Sequence, residues 1–284
     1  MYPGALKDIL VPIDLSVNTS FAVKQAIELT RATSCTIHLL HVIVSTERWK
    51  NRSFDQAALK SQENEMMKRL TEWKISIEET IPGSIVKIHL EDGIVHDHIV
   101  ETTKRIQPQL IILGSKRKKS FFSFFRPICP NEISMATHCP VLTVINNTSN
   151  SRLHNIVVPV RSFIPKRKIG LLLVFAKMYR AKIHLVSVLD KMGEKDAERI
   201  ALLDTYQLLK NVLNNPIEYS LLKTKNFPKA TLRYARKINA DLVFVNPSSE
   251  TKVSFLGKHI NDLLPASSGL KFLFVEPYSE NASL

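Results

Sequence analysis

Ile9-Leu-Val-Pro-Ile-Asp14, near the start of the chain, reads against Ile156-Val-Val-Pro-Val-Arg161 beyond its middle. Each is a short apolar run closed by a proline, one further apolar residue and a charge. The match does not stand alone. His38-Leu-Leu-His-Val42 reads against His184-Leu-Val-Ser-Val188, Leu110-Ile-Ile-Leu113 against Leu242-Val-Phe-Val245, and Val141-Leu-Thr-Val144 against Phe272-Leu-Phe-Val275. The partners are offset by 147, then 146, then 132, then 131 residues, so the second set has lost about 14 residues between Val188 and Leu242. Matches in the same order, with one deletion, mark a duplicated domain. The bounds expected for the two copies are 1–147 and 152–278, joined by the polar, turn-forming stretch Asn146–Ser151.

Within each copy, short apolar runs alternate with longer amphipathic stretches. The runs of the first copy are Asp8–Ile13, Thr36–Ile43, Ile85–Leu90, Leu110–Leu113 and Val141–Ile145. They are rich in Val, Ile and Leu on consecutive positions, which suits strands buried on both faces. Between them, Phe21, Ala22, Ala26, Ile27 and Leu29 mark one helix, and Met66, Leu70, Trp73 and Ile77 follow helical spacing in the next. Ile94, His98, Ile99 and Thr102 open a third. Asn18, Thr19 or Ser20 is expected to cap the first helix. The second copy repeats the plan with strands Asn155–Val160, Lys182–Val188, Ile217–Leu221, Leu242–Val245 and Lys271–Val275. Strand–helix alternation predicts an α/β fold: two tandem, doubly wound, parallel-sheet domains of Rossmann-like type with right-handed crossovers.

Composition supports a globular chain. Of 284 residues, 44% are hydrophobic and 23% charged, which excludes disorder and collagen-like structure. No apolar run reaches the roughly 18–20 residues of a membrane-spanning helix. The opening MYPGALKDILVPID lacks the basic-then-apolar order of a secretory signal. Cys35, Cys129 and Cys139 form neither a disulfide framework nor a zinc spacing, so a reducing cytoplasm is the expected location. The net charge of +13 divides unevenly: residues 1–150 hold 18 basic and 15 acidic residues, and 151–284 hold 21 and 11. Such a balance attracts polyanions. Zinc-finger spacings, aromatic RNA-binding motifs and a basic tail are absent, so specific nucleic-acid recognition is not expected.

In open α/β sheets, ligands bind beyond the carboxyl ends of the strands, where the strand order reverses. The residues there include Asp14-Leu-Ser16, Val42–Ser45, Glu91-Asp92-Gly93 and Gly114–Lys119. An opening strand ending Val11-Pro-Ile-Asp14-Leu-Ser16 resembles the universal stress protein family. So do the second-strand ending Leu39-Leu40-His41-Val42-Ile43, a fourth strand ending at Gly114, and Cys139-Pro140 leading the fifth. The likeness covers nearly all of residues 5–145 and, more faintly, 153–277, so the chain resembles a tandem member, UspA-like in each half.

The resemblance implies an adenine-nucleotide site in the adenine nucleotide alpha-hydrolase-like arrangement. The family's opening Asp would contact the ribose and adenine region, and the valine after the second-strand His would contact adenine through its backbone. A Gly-x2-Gly-x9-Gly-Ser/Thr loop after the fourth strand would cradle the phosphates. Asp14, Val42 and Gly114 match this pattern. Arg117 stands at the second glycine, Pro127 at the third and Ile128 at the Ser/Thr. Proline has no N–H to donate, and arginine crowds a close-approach position. In the second copy Arg161 replaces the Asp, Asn246 and Ser249 take the first two glycine places, and His259 the third. The residual nucleotide site is therefore Asp14, Val42 and Gly114, the expected cofactor is none, and ATP in the first copy is the alternative.

Lys116, Arg117, Lys118 and Lys119 precede Phe121 and Phe122, with Phe124 and Phe125 beyond, an interaction patch for a protein partner or an anionic surface. Arg48–Arg52 and Lys166-Arg167-Lys168 would add to an electropositive face. His96, Asp97 and His98 with His89, Glu91 and Asp92 could suggest a metal, but His96 and His98 diverge on a helix. Cys129 beside Pro127 and Pro130 is expected to be inert. No nucleophile–base constellation supports catalysis. The reading is a cytoplasmic, non-enzymatic stress-response protein with degenerate nucleotide sites. The alternatives are an ATP-binding sensor and a basic module for nucleic acid or membrane surfaces. The resemblance also implies an intramolecular pseudo-dimer paired through the fifth strands, with further homo-oligomers open.

Overall fold

The computed structural model describes residues 6–14, 16–44, 56–115, 128–145, 152–161, 164–189, 196–224, 226–247 and 270–275. The chain divides into two compact units, Ala5–Asn146 and the remainder. The linker expected at Asn146–Ser151 lies outside the described residues.

The first copy runs β1 (Asp8–Pro12), α1 (Val17–Thr33), β2 (Thr36–Ile43), α2 (Gln56–Thr80), β3 (Val86–Asp92), α3 (Val95–Ile106), β4 (Leu110–Ser115), α4 (Pro130–Thr137) and β5 (Val141–Ile145). Its strands lie in the order β3-β2-β1-β4-β5, and every pair is parallel. The order reverses between β1 and β4, which makes the crevice at their carboxyl ends the switch point. Ile9, Leu10 and Val11 are completely buried, as consecutive residues of a strand covered on both faces must be.

The second copy runs β6 (Asn155–Pro159), α5 (Lys166–Tyr179), β7 (Lys182–Leu189), α6 (Asp196–Val212), β8 (Ile217–Lys223), α7 (Phe227–Lys237), β9 (Leu242–Val245) and β10 (Lys271–Phe274). Its order, β10-β9-β6-β7-β8, repeats the first with the same parallel pairing. Part of the deletion read from the sequence falls at the second helix: α2 has 25 residues and α6 has 17, a difference of 8 of the roughly 14.

Both copies clamp the start of the first strand to the fourth. Lys7 and Asp8 donate their backbone N–H groups to Gln109 Oε1, each at 2.8 Å. His154 and Asn155 donate theirs to Asp241 Oδ2, at 2.7 and 2.9 Å. The switch point is fixed from below by the same device with an amide in one copy and a carboxylate in the other.

The structure adjusts three local expectations. Helix α1 starts one turn earlier than its expected caps, with Ser16 as the N-cap in extended conformation. Strand β3 begins after the exposed Ile85 and continues to Asp92, because its ladder to β2 runs on to Ile43 opposite Asp92. Glu91 and Asp92 are therefore strand residues, which an edge strand accommodates since one of its flanks pairs with no described strand. Lys168 is not a surface cation. It is 1% exposed, and its Nζ donates to Pro159 O at 3.2 Å.

Candidate functional site

Asp14, Val42 and Gly114 come together at the carboxyl end of the first copy's sheet: Asp14 just after β1, Val42 near the end of β2 and Gly114 near the end of β4. The segment after β1 is hooked to β2 twice. Ile13 N–H donates to Leu40 O at 2.8 Å, and His41 Nδ1 lies 2.8 Å from Ile13 O. A carbonyl only accepts, so Nδ1 carries the proton in that contact. This holds the chain where Asp14 can cap the following helix.

Asp14 is already engaged there. Its Oδ1 accepts from Ser16 N–H at 3.0 Å and from the Thr19 hydroxyl at 2.5 Å, while Thr19 Oγ1 accepts from Asp14 N–H at 3.2 Å. The carboxylate thus satisfies donors at the start of α1, whose own N-cap, Ser16, makes no side-chain capping bond. Val42 is buried and pairs with Glu91 of β3. Gly114 pairs with Val144 of β5. Before α4, Ile128 is 42% exposed, Cys129 is the N-cap, and Pro130 opens the helix. The start of α4 therefore lacks the hydroxyl of the Ser/Thr position, and Pro130 removes one of the N–H groups that a helix start would offer a phosphate. Lys116, Arg117, Lys118, Lys119, Phe121, Phe122 and Pro127 lie outside the described residues, as do Arg48–Arg52, Ser249 and His259.

The corresponding place in the second copy has different chemistry. Arg161 follows β6 where Asp14 follows β1. Its Nε lies 3.4 Å from Glu198 Oε1 on α6, and its guanidinium sits 5.4 Å from the Phe227 ring at the start of α7. Ser187 replaces His41, so the imidazole hook is gone, although Val160 N–H still donates to Val186 O at 2.8 Å. Asn246 stands at the position of Gly114 and is buried, and among the described residues its Oδ1 accepts no hydrogen bond. The sequence reading missed the Arg161–Glu198 pair. Its partners are 37 residues apart and no local spacing announces it.

The histidine-rich stretch separates rather than converges. His96 is buried, with Nδ1 3.2 Å from Asp97 Oδ1 and Nε2 3.7 Å from Glu132 Oε2. His98 turns to the Asp92 carbonyl at 3.1 Å and to Glu101 at 3.4 Å. Among the described residues no group of three His, Cys, Asp or Glu side chains is placed to hold a metal ion. No described helix is long and apolar enough to cross a membrane.

A second polar arrangement, at the opposite half of each sheet, was only half visible in the sequence. His38 Nε2 lies 2.9 Å from Asp8 Oδ1 and its Nδ1 lies 2.9 Å from His89 Nε2. In the second copy His184 takes the place of His38, with Asn155 Oδ1 3.2 Å from Nε2 and Tyr234 OH 3.2 Å from Nδ1. The recurrence of histidine at one point of the repeat was the available signal. Burial, reinforced by the His38, Arg105 and Lys87 charges, holds His89 below the ordinary value of 6.5. Burial likewise lowers His184, against the opposing pull of Glu218.

Comparison with known proteins gives a consistent picture. A model of the universal stress protein family matches residues 5–144. No curated protein sequence matches the chain. A universal stress protein from Archaeoglobus fulgidus is similar over 96% of this chain and 97% of its own, at 17% identity and a TM-score of 0.68. A putative universal stress protein from Pseudomonas aeruginosa aligns over 96% and 94%, at 17% identity and a TM-score of 0.54. The cytoplasmic domain of a prokaryotic cation chloride cotransporter aligns over 98% of both chains, at 14% identity and a TM-score of 0.54.

Proposed function

Because this chain belongs to the universal stress protein family, we propose that it is a cytoplasmic, non-enzymatic, regulatory member whose nucleotide sites have degenerated. The observation that carries the reading is the loss of the phosphate cradle: Arg117 and Pro127 occupy the places of two glycines, and Ile128 that of the Ser/Thr. The surviving Asp14 supports it, since its Oδ1 is held by Ser16 and Thr19 at the start of α1. The second copy supports it further, because Arg161 is directed to Glu198 and Phe227.

On this reading the protein acts through a protein partner, and the basic-aromatic stretch Lys116–Lys119 with Phe121 and Phe122 is the sequence-based docking candidate. The same fold serves as the cytoplasmic domain of a transporter in one structural neighbour. Architecture alone therefore selects no activity, and the choice rests on the site residues. The test is native mass spectrometry of the gently purified protein, titrated with ATP. The proposal expects the bare mass at millimolar nucleotide. A mass increment of one adenine nucleotide, lost on Gly114→Val, would establish the ATP-sensor alternative instead.

A further inference from the structure

The first copy contains a hydrogen-bonded row that crosses three adjacent strands: Asp8 on β1, His38 on β2 and His89 on β3. The two imidazoles are stacked, with centroids 5.2 Å apart and planes 16° from parallel. His38 is almost fully buried and His89 partly so. The other charged groups acting on His89 are Lys87 and Glu91 from its own strand and Arg105 from α3. From α2, which packs on β3, Glu78 reaches the strand only at the Val86 N–H, at its start, among the described residues. Arg105 itself pairs with Glu91 at 2.7 Å.

The proton count of this row is constrained. Asp8 Oδ1 accepts, so His38 Nε2 carries a proton. Only one proton fits between His38 Nδ1 and His89 Nε2. In the neutral row His89 Nε2–H donates to His38 Nδ1, and His89 Nδ1 keeps a lone pair. A first added proton goes to that lone pair, and every contact survives. A second must enter the shared contact, where two N–H groups would face each other across 2.9 Å and two imidazolium rings would stack. The contact cannot survive it.

We propose that the Asp8–His38–His89 row is a proton-operated tie that holds the edge strand β3 to its sheet and opens when the histidine pair takes up its second proton. The consequence reaches the candidate site. Two residues beyond His89, Glu91 pairs with Val42, and Gly93 N–H donates to Ile43 O at 3.0 Å. Loosening β3 therefore releases the backbone flank of Val42. The second copy is a built-in control. Asn155 replaces the carboxylate, Ser220 stands where His89 would, and Tyr234 from α7 supplies the third polar group. A phenol neither gains a proton in mild acid nor repels an imidazolium.

The test compares amide hydrogen exchange in Val86–Asp92 with that in Ile217–Lys223 of the full-length protein, near neutral pH and near pH 5, after correction for intrinsic rates. Protection of β3 is expected to fall by about tenfold or more and that of β8 by clearly less, because in the second copy acid acts only through the burial of His184. In His89→Gln, whose NH2 donates to an unprotonated His38 Nδ1 and whose carbonyl oxygen, after a flip, accepts from a protonated one, the fall should vanish. Imidazole nitrogen NMR of the unmodified protein provides a second readout should that variant fold poorly. It should show the His38–His89 pair titrating in two separated steps, with β3 exchange rising at the lower one. Equal loss of protection in both strands, an unchanged response in His89→Gln, or two independent simple titrations would overturn the proposal.

Discussion

Asp14 and Arg161 occupy the same place after the first strand of the two copies, and both bind the chain to itself. Asp14 accepts from the Ser16 N–H and the Thr19 hydroxyl at the start of α1. Arg161 reaches forward to Glu198 on α6 and Phe227 on α7. Below them the copies remain alike: a proline closes β1 and β6, a side-chain oxygen clamps the first strand to the fourth, and the parallel order repeats. The difference teaches that duplication preserves what the sheet requires, while the side chains above the switch point change freely. Keeping one residue of a ligand motif is then no sign that the ligand is kept, because Asp14 has a structural task of its own.

The comparison can be broken most forcefully at its shared core. Leu39 and Leu185 are equivalent and completely buried. Leu39→Ala and Leu185→Ala should each cost about 2–5 kcal/mol in urea denaturation. A clearly unequal cost would show that the two cores are not equivalent. Glu198→Ala removes a carboxylate that is 5% exposed from an arginine that is 38% exposed. Solvent screening of that arginine limits the expected loss to about 1–2 kcal/mol. No loss would mean that Arg161 is not anchored by Glu198. Asp14→Ala should cost ~1 kcal/mol, the usual worth of hydrogen bonds at a helix start. A stability left unchanged by this substitution would return Asp14 to the list of residues held for a ligand.

The smallest effect is the shared pH dependence. His89 and His184 are both held below 6.5 in the folded chain, mainly by burial. Below pH 6.5 the unfolded chain therefore binds protons that the folded chain refuses, and stability falls with pH until the folded-state values are passed. Above 6.5 this contribution is complete. Urea midpoints measured across that range should decline on the acid side, and less so in His184→Gln. A flat profile in the unmodified protein would contradict the burial of these histidines.

The repeat, the strands and the parallel order were legible because burial on both faces writes consecutive Val, Ile and Leu into a short run. Thr36–Ile43, Val141–Ile145 and Leu242–Val245 are found with the expected bounds. Less legible were edges and charges. Glu91 and Asp92 read as loop residues, yet they extend β3 because the ladder to β2 continues past the apolar run. Lys168 read as part of a basic face, but its stem is buried and its ammonium donates to the Pro159 carbonyl. The Asp8–His38–His89 row needs the strand register to bring together residues 30 and 51 positions apart, which no local pattern encodes. For the site itself, Asp14 and Gly114 were visible as motif remnants. That the Asp14 carboxylate serves α1 emerged only from the geometry.

The central claim is that the phosphate cradle has been lost, and calorimetric titration of the unmodified protein with magnesium ATP tests it most directly. No saturable heat up to millimolar nucleotide is the predicted result. One-to-one uptake that disappears in Gly114→Val would contradict it, and would mean that the cations following Gly114 hold the phosphates in place of the missing glycines.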